Sequence, residues 1–238
     1  MTIALILVEI FTVIMQRNVC EKAFDRKPAG TVVQFMVWAA FYIISNVTTY
    51  FFELPSWLNM VIFSVSFFGV LTWLYEGSIR IKLVLVLFLC LIGMLSEVMV
   101  CFIGILCGID IIHMMGNTDV AIMYTILSKL VWFVEIKIAL LFLKKNKNIV
   151  IRNMDWLEVF IVPVSSIFIV MAIFVPLTDE YVWAKLIASI LILIVNLFTF
   201  YNYNELQEKA LYQAERQFLT QQVENYAVQL QEMSKTWQ

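Results

Sequence analysis

Ionisable residues that fall deep inside strongly apolar stretches of the sequence include Glu9, Glu97 and Lys129. A charge in the hydrocarbon region of a membrane is costly, so such residues are normally paired and are candidates for a functional role. We therefore expect an intramembrane charge cluster in which Lys129 pairs with Glu97, or alternatively with Glu9. A buried pair of this kind is either a fixed tie between helices or an element that rearranges when a ligand binds.

Residues that support catalysis or metal binding are sparse. The four cysteines, Cys20, Cys90, Cys101 and Cys107, show no metal-ligand or disulfide spacing, and His113 is the single histidine. An intramembrane peptidase would need a Cys–His pair, two carboxylates or a set of metal ligands. We therefore predict no catalytic residue, no metal site and no cofactor in this chain.

Composition places the chain among helical membrane proteins. Hydrophobic residues make up 62% of the sequence and charged residues 14%, whereas soluble domains have about 45–50% and about 25%. The net charge of −2 gives no indication of a nucleic-acid partner. The predicted fold class is an all-α membrane protein.

Seven apolar stretches are candidates for crossing the membrane, which takes about 20 residues of helix. The first is short and contains Glu9, so it either crosses the membrane or lies in its interface, and this leaves seven or six transmembrane helices. We predict a transmembrane domain over residues 1–203 and a helical stem over 204–238. The seven stretches are residues 1–16, 31–52, 56–75, 83–107, 120–143, 156–177 and 181–203.

Basic residues alternate between the connections and predict the orientation, because short cytoplasmic loops are enriched in Lys and Arg. The connections FELPS, GIDIIHMMGNTD and PLTDE contain no basic residue. The N-terminus is therefore predicted outside, the stem in the cytoplasm, and the charge cluster in the outer half of the membrane. The other connections carry Arg17, Lys22, Arg26, Lys27, Arg80, Lys82, Lys144, Lys145, Lys147 and Arg152.

The stem has the spacing of a coiled coil. Its apolar positions recur at alternating intervals of four and three residues, which is typical of the seam where two helices pair. No Gly or Pro separates it from the last apolar stretch, so one continuous helix is predicted from the membrane into the cytoplasm. The alternative is a solvated amphipathic helix that packs on nothing. The seam consists of Leu219, Val223, Tyr226, Leu230, Met233 and Trp237.

Several segments, in order along the whole chain, resemble the sensor region of Agr-type (AgrC-like) GHKL sensor histidine kinases of Gram-positive bacteria. They are YEGSIRIKL, LSEVMV, LSKLVWFVEIKIALLFLKKNK, YNYNELQEKA and QQVENYAVQLQEM. The resemblance implies the membrane receptor region of a two-component system in the bacterial cell membrane. Such a region senses a small extracellular peptide, often a cyclic quorum-sensing one, and passes the signal through a coiled-coil homodimer.

In that family the stem leads to a phosphoacceptor histidine near Arg-x-x-Arg-His-Asp and then to an ATP-binding domain. This sequence stops at Gln238, before such a box, and His113 is predicted outside the cell. The chain itself is therefore expected to lack kinase activity. ATP, Mg²⁺ and a response regulator are implied only for a full-length parent, a histidine protein kinase.

The resemblance also implies a ligand site that opens outward. The outer connections are short, so the ligand must be met among the helix ends. The aromatic candidates have an alternative interpretation as an interfacial belt, and the methionines one as fillers. The candidates are Trp57, Asp110, His113, Met114, Met115, Asp119, Tyr181 and Trp183.

Two other classes of function fit a chain of this kind: a small polytopic transporter and a non-catalytic membrane scaffold. Many transporters are built from internal repeats with helices broken by Gly or Pro. No such repeat is evident in the sequence. The receptor hypothesis is therefore the main prediction.

Overall fold

The computed structural model describes residues 3–50, 56–109, 118–142, 153–174 and 181–236. Within these residues the protein is all-helical, and the only strand-like feature is one bridge between Arg26 and Tyr75. The predicted all-α fold class is confirmed. The helices are α1 (Ile3–Ala23), α2 (Thr31–Tyr50), α3 (Ser56–Leu74), α4 (Ile79–Leu106), α5 (Thr118–Phe142), α6 (Asn153–Phe174) and α7 (Val182–Thr236).

Among the described residues, three helices are long and apolar enough to cross a membrane. They are Thr31–Thr49 of α2, Ile79–Leu106, which is the whole of α4, and Val182–Thr199 at the start of α7. Shorter apolar segments occupy Leu58–Leu74 and Phe160–Ala172. These lengths are consistent with a membrane protein, and the larger count of seven spans stays a prediction.

Several helices extend into segments that the sequence analysis assigns to connections, α1 and α4 furthest. α1 continues past residue 16 to Ala23, where Arg17 forms an ion pair with Glu21 one helical turn away, at 2.7 Å. α4 begins at Ile79 instead of residue 83. Hydropathy marks where the apolar stretch ends, but a helix continues as long as its polar side chains find partners, so the predicted boundaries were too short.

α4 lies at the centre of the bundle. It packs against α3, α5, α6 and α7, whereas α1 packs on α5 and α2, and α2 packs on α3. A helix that is apolar on all sides is expected to be enclosed in this way. Two hydrophobic clusters cover it: one contains Phe41, Phe67 and Leu85, and the other contains Leu95 and Phe102.

Lysine side chains close the helix ends at the predicted inner side of the bundle. Lys27 Nζ donates a hydrogen bond of 2.8 Å to the carbonyl of Thr72, and Lys82 Nζ one of 2.7 Å to the carbonyl of Tyr75. Lys22 Nζ donates to the carbonyl of Leu140 near the end of α5. The last carbonyls of a helix lack partners within it and carry partial negative charge, so an ammonium group stabilises them.

The connections before α2 and before α4 are also joined through their backbones. Lys27 N donates to the carbonyl of Leu74 at 2.9 Å, and Glu76 N donates to the carbonyl of Asp25 at 2.8 Å. These bonds hold the connection after α1 beside the end of α3 and the connection that follows it. This end of the bundle is therefore a hydrogen-bonded layer and not a set of independent loops.

The loss of one lysine cap should destabilise the fold. Lys82 is 3% exposed, so Lys82→Met removes a charge-assisted hydrogen bond and leaves the carbonyl of Tyr75 without its donor. We expect the free energy of unfolding in mixed micelles to fall by about 1.5–3 kcal/mol. Lys209→Met is the control, because Lys209 is exposed and pairs with Glu205 one turn away on its own helix. An equal loss in both variants would contradict the capping role.

Candidate functional site

The predicted charge cluster is assembled by three helices. Lys129 Nζ of α5 lies 3.8 Å from Glu97 Oε1 of α4. The hydroxyl of Tyr124 donates a hydrogen bond of 2.7 Å to the main-chain carbonyl of Glu97. Glu9 of α1 lies within electrostatic reach of both Lys129 and Glu97. One cation therefore lies among two carboxylates, which is the grouping that the sequence analysis hypothesised.

The pair is only partly enclosed by the protein. The side chain of Lys129 is 22% exposed and that of Glu97 is 53% exposed. In water a pair this accessible contributes less than about 1 kcal/mol. Its oxygen and ammonium atoms remain reachable from the surface of the bundle, so they can be contacted by another molecule without unfolding the core.

The predicted ligand residues can be traced only in part. Asp119 lies in the first turn of α5, and Tyr181 directly precedes α7, where its carbonyl accepts the first hydrogen bond of that helix from Lys185 N at 3.0 Å. The rings of Tyr181 and Trp183 are exposed, as is typical of an interfacial belt. Trp57 lies in the first turn of α3. The candidates Asp110, His113, Met114 and Met115 lie outside the described residues.

The last apolar stretch and the stem belong to one unbroken helix, α7. α7 runs from Val182 to Thr236 as one helix of 55 residues. Its first part packs on α4 and α6, and every side chain from Glu215 to Leu230 is exposed. The described seam residues Leu219, Val223, Tyr226 and Leu230 therefore form an apolar stripe that this chain does not cover. Met233 lies within α7, and Trp237 lies outside the described residues.

Some polar residues lie inside the bundle, and their contacts and burial cannot be predicted from composition. Asn196 Nδ2 of α7 donates to Ser166 Oγ of α6 at 2.7 Å, so a side-chain hydrogen bond joins these helices, as polar residues in membrane spans commonly do. Glu135 of α5 is buried, although the sequence analysis gave it no role. Its spacing of seven from Ser128 and three from Trp132, both buried, is the signal that places it on the inner face.

Comparison with known proteins adds no identification. The chain matches no protein-family model, no curated protein and no solved structure. The functional argument therefore depends on the residues and their geometry.

A charge swap tests the contact between α4 and α5. Glu97→Lys and Lys129→Glu each place like charges together, so each should lower the free energy of unfolding. The double variant restores an opposite pair, and we expect it to recover at least about 0.5 kcal/mol relative to the sum of the single changes. Reversible unfolding in mixed micelles measures this coupling. A double variant whose loss of stability equals or exceeds the sum of the two single losses would rule out the pairing.

Proposed function

We propose that the chain is the membrane receptor region of a two-component sensor histidine kinase, which senses a small extracellular peptide. The observation that carries the proposal is α7: a single helix begins against the core of the bundle and ends in an exposed apolar seam. A rigid helix transmits rotation or axial displacement, whereas a flexible linker does not. Such a connection suits a protein whose output lies outside its membrane domain.

The contacts of α7 offer a route for the signal. Val182 packs in one cluster with Phe102 near the end of α4, and Lys185 Nζ lies 6.0 Å from the centre of the Phe102 ring. A ligand that moves this end of α4 therefore acts on the first turn of α7. If α7 can take two positions, a ligand shifts the balance between them only when it binds the protein more tightly with α7 in one position than in the other.

In this proposal the exposed seam pairs with the seam of a second copy. The resemblance to Agr-type receptors adds the expected output, which is a GHKL kinase with its ATP, its Mg²⁺ and its response regulator in the full-length receptor. Trp57, Asp119, Tyr181 and Trp183 lie at the predicted outer helix ends, where a peptide arriving from outside meets them first. The partly accessible Glu97 and Lys129 lie deeper on the same side. The bacterial cell membrane is the proposed location.

Changing the phase of the stem tests the proposed signalling role. The chain is fused in heptad register to the catalytic half of a GHKL histidine kinase, and residues are inserted after Glu215. Two inserted alanines turn the seam by about 200°, whereas seven turn it by about 20°. We expect the two-residue insertion to change basal autophosphorylation and abolish its response to hydrophobic cyclic peptides added outside. The seven-residue insertion should preserve both, and output independent of phase would contradict the proposal.

Disulfide cross-linking tests the seam as a homodimer contact. The exposed native cysteine, Cys107, is first changed to serine. Val223→Cys should then form covalent dimers on mild oxidation in membranes. Gln221→Cys is the matched control, because residues two apart lie about 160° from one another on a helix. Equal cross-linking at both positions would show that the seam does not define the dimer.

A further inference from the structure

Glu135 is a carboxyl group that the bundle encloses. It is 4% exposed, and within the part of the chain that the structure describes neither of its oxygens has a hydrogen-bond partner. It shares the inner face of α5 with Ser128, Trp132 and Ala139, which are also buried. An ionised carboxylate in such surroundings is so costly that the group is expected to hold a proton instead.

The depth of Glu135 in the bundle follows from the contacts between α4 and α5. Lys129 contacts Glu97. Gly93 lies beside Trp132, since a Cβ added to Gly93 would be 3.9 Å from Trp132 Nε1. The two helices therefore run in opposite directions, and Glu135 lies level with Cys90. The α4 sequence between Lys82 and Glu97 contains no charged residue.

The other helices packed against α5 are α1 and α7. α1 brings Arg17 near this level, where its side chain is 43% exposed and pairs with Glu21 at 2.7 Å. α1 has no ionisable residue between Glu9 and Arg17, and α7 has none between Lys185 and Tyr201. The thiols of Cys20 and Cys90, on α1 and α4, are both buried.

The lysines at neighbouring depths make contacts with groups other than Glu135. Lys137, on α5 itself, lies over the Phe133 ring with Nζ 5.4 Å from its centre. Lys22 and Lys82 donate to main-chain carbonyls.

Two other buried side chains present unpartnered acceptors at a similar depth. Asn196 Oδ1 and Gln16 Oε1 have no hydrogen-bond partner among the described residues. The Asn196 amide is oriented by its Nδ2, which donates to Ser166 Oγ at 2.7 Å and to the carbonyl of Ile192 at 2.8 Å. Every buried side-chain atom without a partner in the described part of the chain is an oxygen. The oxygens of Glu135, Asn196 and Gln16, which we call the acceptor layer, therefore lack a hydrogen-bond donor.

We propose that Glu135 is a proton-binding site in the core of the bundle, and that the packing of α5 on α4 depends on its neutral, protonated form. A proton adds no volume, and it converts one acceptor of the layer into a donor. Ionisation requires water or a cation to enter between α4 and α5. Because α4 also holds α7, ionisation loosens the surface against which the long helix is positioned. This proton site does not require the chain to be a receptor.

The proposal predicts a pH dependence of stability with a definite sign. In the unfolded chain Glu135 loses its proton above about pH 4.3, whereas the folded bundle retains it. The folded state then binds one proton more than the unfolded state, so stability falls as pH rises. Glu135→Gln has the shape of the protonated acid and carries no titrating proton, so this position then contributes no slope.

The experiment compares the full chain with Glu135→Gln and with Glu97→Gln as the matched control. Reversible unfolding is followed in mixed micelles between pH 5 and pH 8. The folding equilibrium constant of the wild type, relative to Glu135→Gln, should fall about tenfold per pH unit until Glu135 ionises in the folded state. Glu97 is half-exposed, and its replacement should leave that slope in place.

A second measurement observes the proton directly. Infrared spectra of the protein in lipid vesicles at neutral pH should contain the carbonyl stretch of a protonated carboxylic acid, which Glu135→Gln removes and Glu97→Gln retains. A wild type whose stability relative to Glu135→Gln does not change with pH would overturn the proposal. A spectrum without a band that depends on Glu135 would do the same.

Discussion

The packing of α4 is the constraint on which the rest of the structure depends. Inside a membrane the backbone must satisfy its own hydrogen bonds, so a span is a helix, and its position is set by the side chains around it. α4 is apolar on all sides and contacts α3, α5, α6 and α7. A movement of α4 therefore reaches the charge cluster through Glu97 and the long helix through Phe102. The same helix carries Lys82 into the hydrogen-bonded layer at the opposite end.

The helices themselves could be predicted from the sequence, but several of their boundaries and contacts could not. Long apolar runs locate each helix, and the lack of Gly and Pro between Asn196 and Leu219 predicts that α7 is continuous. The end of α1 was misplaced because a hydropathy pattern stops at Arg17, whereas the helix continues through the pair that Arg17 forms with Glu21. The partners of such residues lie on the same helix or on distant ones, and hydropathy reports neither.

The candidate site was likewise predictable from the sequence only in part. A charge within an apolar stretch is visible in any sequence, so Glu9, Glu97 and Lys129 could be grouped by their depth alone. The sequence analysis gave Glu135 no role, and its burial contrasts with Lys137 two residues later, whose ammonium group lies over the Phe133 ring. The two side chains point in different directions on α5, since residues two apart do not face one another. Burial on a helix depends on angular position as well as on depth.

The length of α7 has a mechanical consequence. Asn196, which is hydrogen-bonded to Ser166, lies forty residues before Thr236, so the helix extends about 60 Å beyond that contact. A tilt of about 5° at the contact then displaces the far end by about 5 Å, close to the pitch of one helical turn. The bundle can thus remain almost unchanged while the tip of its longest helix moves by the width of a side chain. In the proposed homodimer, opposite tilts would separate the tips of the two helices and equal tilts would carry them together, so the symmetry of the movement would decide whether the seam stays closed.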